Sequence, residues 1–453
     1  MNPETAISRQ WTNRALFSLL WPLVIEQLLA VAMGAADTIM VSWIGEYAVS
    51  GVNVIDNINN LLIIAFTALC TGGAVVVSQY IGRKDYANSC AAAKQLIYSV
   101  AVISVLIMVL AVTLRRPIIT LFYGKIADDV MDAASAYFLF TGLSYPFLAL
   151  ATAGAALYRA AGNSRTPMLI ALLVNVLHIG GNVLFIYVME FGVMGAALST
   201  FISRVVVAAI AILMLYRGRN SPVSLQGLFS VRIARPMIRN ILNVGLPSGI
   251  ESSMFMVGKL LTQRIFAIFG TAAIAANAIT GMINSFTFMP GSAFGIALLT
   301  VVGQCIGAGD YAEAKKLTFK IMKLAYIVIF IVSALTYIFM DPLLALFNLG
   351  DEAYGIARSI LKIHCFSMAI GWAMSFVLPN SLRAAGDARF AMIVSTVSMW
   401  TVRVCAAYFF AFTLKLGPLG VWLAMGADFL VRGAFFCLRW IRGKWQDKRV
   451  ITN

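Results

Sequence analysis

The sequence predicts an all-α, polytopic membrane protein with about twelve transmembrane helices in two pseudo-symmetric six-helix lobes. Three observations carry this. Hydrophobic residues make up 61% of the 453-residue chain and charged residues 12%, with a mean hydropathy of +0.87. Soluble domains sit near half apolar and a quarter charged, so this surface would not stay dissolved. Roughly 20 apolar residues cross a hydrocarbon core as a helix, and runs of that order recur about a dozen times. Finally, the first half of the chain returns in the second. A soluble enzyme and a nucleic-acid binder are excluded.

The apolar stretches lie near 16–42, 52–81, 91–114, 133–157, 167–189, 193–216, 241–269, 273–306, 317–340, 355–380, 390–414 and 418–438. Pro22, Glu26 and Asp37 interrupt the first, and Asn53, Asp56, Asn57 and Asn60 open the second. The fifth holds Asn175, His178 and Asn182, and the sixth holds Arg204. The seventh contains Pro247, Glu251, Lys259 and Arg264; Arg403 sits in the eleventh, and Asp428 and Arg432 in the twelfth. The chain carries 34 Lys plus Arg against 19 Asp plus Glu, a formal charge of +15. With a cytoplasmic N-terminus, roughly 23 of the basic residues fall inside, Arg217, Arg219, Arg232 and Arg235 among them. Only Arg115, Arg116, Lys125 and Lys415 fall outside, so the excess needs no acidic partner. Both termini are expected in the cytoplasm, in the cell inner (plasma) membrane. The six cysteines show no metal-ligand spacing, and no disulfide framework is expected. The first apolar run is too long and lacks the cleavage site of a removed signal peptide.

A shift of about 225 residues superposes Pro22 and Glu26 on Pro247 and Glu251. It also superposes Gln79-Tyr80-Ile81-Gly82-Arg83-Lys84-Asp85-Tyr86 on Gln304-Cys305-Ile306-Gly307-Ala308-Gly309-Asp310-Tyr311. Arg159-Ala160-Ala161-Gly162 matches Arg383-Ala384-Ala385-Gly386 after a one-residue slip, and Gly192 and Gly195 match Gly417 and Gly420. The chain is a duplicated six-helix unit, expected as an N-terminal lobe (1–220), a cytoplasmic linker (221–240) and a C-terminal lobe (241–453). Six is even, so both copies enter the membrane in the same direction and are related by an axis along its normal. Two such lobes flanking a central cleft suit alternating access by rocking, the architecture of a transporter.

The repeated Gln-x-x-Gly-x-x-Asp-Tyr after the second and eighth helices resembles the multidrug and toxic compound extrusion (MATE) family of the MOP flippase superfamily. Ala36-Asp37-Thr38-Ile39-Met40-Val41 resembles its first-helix signature, and Gly162-Asn163-Ser164-Arg165-Thr166-Pro167 its loop between helices four and five. The resemblance covers nearly the full length. It implies a cation-coupled exporter that expels lipophilic, often cationic, drugs or metabolites in exchange for H+ or Na+, with no cofactor. One branch of the family carries a seventh-helix acid where this chain has Phe255, and another a fifth-helix acid where it has Asn182.

Ionisable groups inside hydrocarbon are functional candidates by default. Asp37 leads, eleven residues beyond Glu26, so three helical turns bring both acids to one face. A carboxylate withdrawn from water can exchange a proton near neutral pH, and one surrounded by oxygen ligands can hold Na+. The alternative is a hydrogen-bonded acid that steadies the kink at Pro22. Glu26 and its mate Glu251 are read as further coupling acids, the alternative for Glu251 being a pair with Lys259 or Arg264. Asn175, His178 and Asn182 fall on one helical stripe and are expected to face the cleft. His178 is a titratable candidate there or a histidine bonded between packed helices. Asp56 belongs to a wet vestibule rim; Asp428 and Arg432 have local ion-pair spacing. Arg204 and Arg403, the latter the mate of His178, are costly unless paired or facing the cleft. Aromatic and Met residues such as Phe255, Phe288 and Met289 line an adaptable pocket or merely pack.

The leading reading is therefore a secondary active antiporter, acting as a monomer on a lipophilic small molecule in the bilayer. The alternative is a lipid-linked oligosaccharide flippase of the same superfamily, which Arg204 and Arg403 keep in play. A membrane enzyme would need clustered His and acids, and two His are too few. No phosphate-binding loop points to ATP.

Overall fold

A computed structural model describes residues 11–218, 221–230, 233–347, 349–448 and 450–451. Arg219 and Arg232, counted above as cytoplasmic, lie outside them. The fold is all-α. The helices are α1 (Asn13–Ser42), α2 (Glu46–Gly82), α3 (Tyr86–Thr113), α4 (Arg115–Tyr123), α5 (Asp128–Leu143), α6 (Tyr145–Ala160), α7 (Arg165–Val188) and α8 (Gly192–Arg217). They continue as α9 (Arg235–Ile268), α10 (Thr271–Gly307), α11 (Tyr311–Ile338), α12 (Met340–Ala345), α13 (Asp351–Ala384), α14 (Ala388–Thr413) and α15 (Pro418–Ile441). Among the described residues, ten of these are long and apolar enough to cross a membrane, and α5 with α6, bent by 48°, makes an eleventh. The twelfth expected span is α9, 34 residues long, whose apolar character is diluted by Arg239, Glu251, Lys259 and Arg264. The bend between α5 and α6 falls where Pro146 cannot donate a backbone hydrogen bond.

The chain divides into two compact units, Leu16–Leu246 and Pro247–Asn453 together with residues 11–15. The division runs through α9 at Pro247. In the first unit the N-terminal half of α9 packs on α2. A Cβ on Gly72 would meet the backbone oxygen of Ile241 and, at 2.8 Å, the backbone nitrogen of Gly245, so the two helices touch backbone to backbone. Backbone atoms cannot swing aside as a side chain can. Gly72→Val is expected to cost about 1–3 kcal/mol of stability, read as a lowered melting midpoint of the detergent-purified protein. The stretch after α8 also docks in this unit: Val223 and Leu225 are buried, Ser89 Oγ donates to Pro222 O (3.0 Å) and the Tyr98 hydroxyl to Leu228 O (2.5 Å).

The repeated motifs acquire physical roles. In Gly-x-x-Asp-Tyr, Lys84 (φ 63°) and its mate Gly309 (φ 82°) end their helices in the left-handed region. Asp85 and Asp310 then cap the next helix, accepting from the backbone N–H of Asn88 (3.1 Å) and Glu313 (2.9 Å). All six cysteines are free.

Candidate functional site

In the Leu16–Leu246 unit the polar groups converge from six helices. Asn182 Nδ2, at the end of the regular part of α7, donates to Asp37 Oδ1 on α1 (2.9 Å). Asp37 and Asp56 line one small cavity of about 10 Å³ with Thr38, Val41, Val49, Val52 and Asn53. Asp56 Oδ1 accepts from Asn59 Nδ2 (3.3 Å) and from the Tyr137 hydroxyl (3.4 Å), while the Tyr145 hydroxyl donates to Asn59 Oδ1 (2.8 Å). Arg204 is held at the α5–α6 bend, its Nη1 donating to Ser144 Oγ (2.7 Å). Among the described residues neither aspartate is in a salt bridge. Asn182 is fully buried, yet its Oδ1 lacks a hydrogen-bond partner among the described residues. The fold leaves an acceptor idle next to a carboxylate.

The remainder of the expected fifth-helix stripe is buried but turned elsewhere. Asn175 Nδ2 donates to Ala171 O of its own helix (2.8 Å), and His178 Nε2 meets Thr200 Oγ1 (3.0 Å). Glu26 and Glu251 are both tied to arginine. Arg159 Nη1 donates to Glu26 Oε1 (2.6 Å); in the other unit Arg383 Nη2 donates to Glu251 Oε2 (2.7 Å) and Ser395 Oγ to its Oε1 (2.7 Å). The partner of Glu251 is thus neither Lys259 nor Arg264. The arginine of the repeated Arg-Ala-Ala-Gly motif fastens the acid one turn after the repeated proline, once in each unit. These bridges close contacts more than a hundred residues apart in the chain.

The Pro247–Asn453 unit has a larger cavity, about 420 Å³, between α9, α10, α14 and α15. Lys259, Asn277, Asn284, Phe288, Arg403 and Trp422 are among its lining residues, and no carboxylate is among the described ones. Arg403 sits in a π-helical stretch of α14 (Met399–Val404), a widened turn that recurs at functional sites. Its guanidinium lies over the Phe255 ring, 5.2 Å from the centroid, and its Nη1 is 4.0 Å from Asp428 Oδ2. Arg432 Nη2 is 3.7 Å from the same oxygen, and Ser398 Oγ donates to Asp428 Oδ1 (2.5 Å). Two buried guanidiniums therefore share one buried carboxylate. His364 is buried edge-on to Trp422, 5.5 Å between ring centroids. Sequence reasoning passed over Asn59, Tyr137, Asn277 and Trp422. Polar or amphipathic residues in an apolar run are common, and only their convergence in the fold singles these out.

A family model described as MatE matches the chain twice, over residues 22–184 and 247–409. The two matches begin at the paired prolines and are offset by the repeat interval found above. The chain belongs to the MATE family. Relatives include an uncharacterized transporter, YisQ, of Bacillus subtilis (29% identical, covering 96% of this chain and 95% of that one). A probable multidrug resistance protein, NorM, of Thermotoga maritima is 26% identical over 97% of this chain and 95% of that one. Among solved structures, a MOP superfamily transporter from Pyrococcus furiosus matches with a TM-score of 0.90 at 20% identity, covering 99% of this chain and 98% of that one, which shows the shared fold. This MATE protein is a multi-pass membrane transporter and not an enzyme. Several of its relatives are named as multidrug proteins.

Proposed function

We propose that this MATE protein is a secondary active antiporter of the cell inner membrane that exports lipophilic small molecules in exchange for H+ or Na+ by rocking of its two halves. The carrying observation is the environment of Asp37. It is a carboxylate on a membrane-spanning helix whose hydrogen-bond partner is an amide and not an arginine. An amide serves both states of an acid: Nδ2 donates to the carboxylate, and after rotation the idle Oδ1 of Asn182 accepts from the carboxylic acid or ligates a cation. A cavity of about 10 Å³ is of the size that holds one water or ion and excludes a drug, so this is read as the ion site. Asp56 is the second acid of that site. Glu26 and Glu251, neutralised by Arg159 and Arg383, are assigned a fastening role. Cationic substrates remain an expectation of the family resemblance, since Lys259 and Arg403 would repel a cation from the larger cavity.

The test is efflux of a lipophilic dye from proteoliposomes under separately imposed proton and sodium gradients. Acceleration by one gradient supports the antiport and names the ion; no acceleration by either, in protein that binds the dye, refutes it. Orientation has its own check. Gln226 is exposed in the docked stretch after α8. Gln226→Cys is expected to react with an impermeant thiol reagent in inside-out membrane vesicles and not in intact cells, and reaction in intact cells would reverse the assignment.

A further inference from the structure

The two cavities are the same place in the duplicated unit. Adding the repeat interval to the small cavity's Asp37, Thr38, Val41, Val52, Asn53 and Asp56 gives Thr262, Gln263, Phe266, Asn277, Ala278 and Gly281, all of which line the larger one. Both acids have thus been replaced, Asp37 by Thr262 and Asp56 by Gly281. Permanently cationic groups stand where none did: Lys259 occupies the position of Gly34 and Arg403 that of His178. Duplication of one site has been followed by inversion of its charge.

Three features make the larger cavity a recognition site and not a packing defect. Arg403 lines the cavity and is buried, 8% exposed, and its Nη1, 4.0 Å from Asp428 Oδ2, has no hydrogen-bond partner among the described residues. A buried, unpaired N–H of a guanidinium is costly unless a ligand supplies the acceptor. Lys259 shares the cavity and has no salt bridge among the described residues. Trp422 Nε1, which can only donate, bonds Asn277 Oδ1 (3.3 Å), and that fixes the amide so that its Nδ2–H groups are left to donate. Donors thus come from a guanidinium, an ammonium and an amide; Asp428, the carboxylate beside the guanidinium, is shared with Arg432 and Ser398, and no carboxylate is among the described residues that line the cavity. Phe266, Phe288 and Met425 supply apolar wall for the rest of a ligand.

We propose that the cavity of the Pro247–Asn453 unit binds an amphipathic organic anion, its carboxylate, sulfonate or phosphate oxygens on Arg403 and Lys259 and its apolar body against Phe288 and Trp422. The site goes beyond the antiport reading and does not depend on it, since occupancy at equilibrium needs no gradient. A free organic anion and the headgroup of an anionic lipid present the same chemistry.

The test compares two probes with one body and opposite charge, naphthalene-2-sulfonate and 2-naphthyltrimethylammonium, titrated into the detergent-purified full chain. The sulfonate is expected to bind at least about tenfold more tightly. Arg403→Gln and Lys259→Gln are each expected to weaken the sulfonate about tenfold and leave the ammonium probe unchanged. Lys259 is exposed, so its variant keeps the test open if removal of Arg403 prevents folding. Equal or tighter binding of the ammonium probe, or sulfonate binding unaltered in the Lys259 variant, overturns the proposal. In nanodiscs, competition by phosphatidylglycerol that disappears in Lys259→Gln supports the site with lipid as its source; sulfonate binding indifferent to that lipid supports it with a free anion. Because dye efflux is measured separately, loss of gradient-driven export would leave this result standing, and the converse holds.

Discussion

Asp37→Asn is expected to reduce gradient-driven efflux to the leak measured without a gradient, while the variant still folds and binds substrate in detergent. The substitution is nearly isosteric. It retains a hydrogen bond to Asn182, since two amides can pair through one N–H and one carbonyl, so packing of α1 on α7 has little reason to change. What is lost is the ability to alternate between charged and neutral forms, or to supply a charged oxygen to Na+. An antiporter needs the ion to distinguish its two conformations, and a ligand with equal affinity for both shifts nothing. Asp56→Asn is the matched comparison. It removes an acid from the same cavity, but Asn59 and the Tyr137 hydroxyl already donate to Asp56, so a smaller loss is expected there. Efflux by Asp37→Asn at the native rate under the driving gradient would remove Asp37 from the mechanism.

The fold was legible because its evidence is distributed over the chain: span length, basic loops and a repeat visible in four groups of matched residues. The site was legible only where one residue sufficed. Asp37 stands out because an acid in hydrocarbon is rare whatever its neighbours. Asn182 looked like a departure from an acidic position, and its hydrogen bond to Asp37 sets an amide directly against the acid of another helix. Glu26 and Glu251 looked like two more coupling acids. Their arginines were already in view as a separate repeated motif, but the pairing spans 133 and 132 residues, and no local rule joins them. Thr262 and Gly281 are unremarkable polar and small residues in sequence. They become informative once their mates Asp37 and Asp56 are seen to line one cavity, because the missing charge is then the signal.

Asp428→Ala carries the largest expected effect on stability. Asp428 is fully buried on α15 and is, among the described residues, the ion-pair partner of two guanidiniums, those of Arg432, 2% exposed, and Arg403, 8% exposed. Arg432 cannot move to water, being stacked 4.3 Å over the Phe376 ring with a second contact 5.9 Å from Phe255. Removing one partner of a buried pair leaves an uncompensated charge and costs about 3–5 kcal/mol, and here two cations are left facing each other. The expected result is a large drop in melting midpoint or in folded yield. The same argument fixes the rescue. Replacing Arg432 as well, in Asp428→Ala with Arg432→Met, removes one stranded charge and is expected to recover much of the loss, because Met keeps apolar contact with Phe376. A single Asp428→Ala as stable as the native protein would mean that water reaches these guanidiniums. A double variant no better than the single one would place the cost in packing around α15 and not in charge.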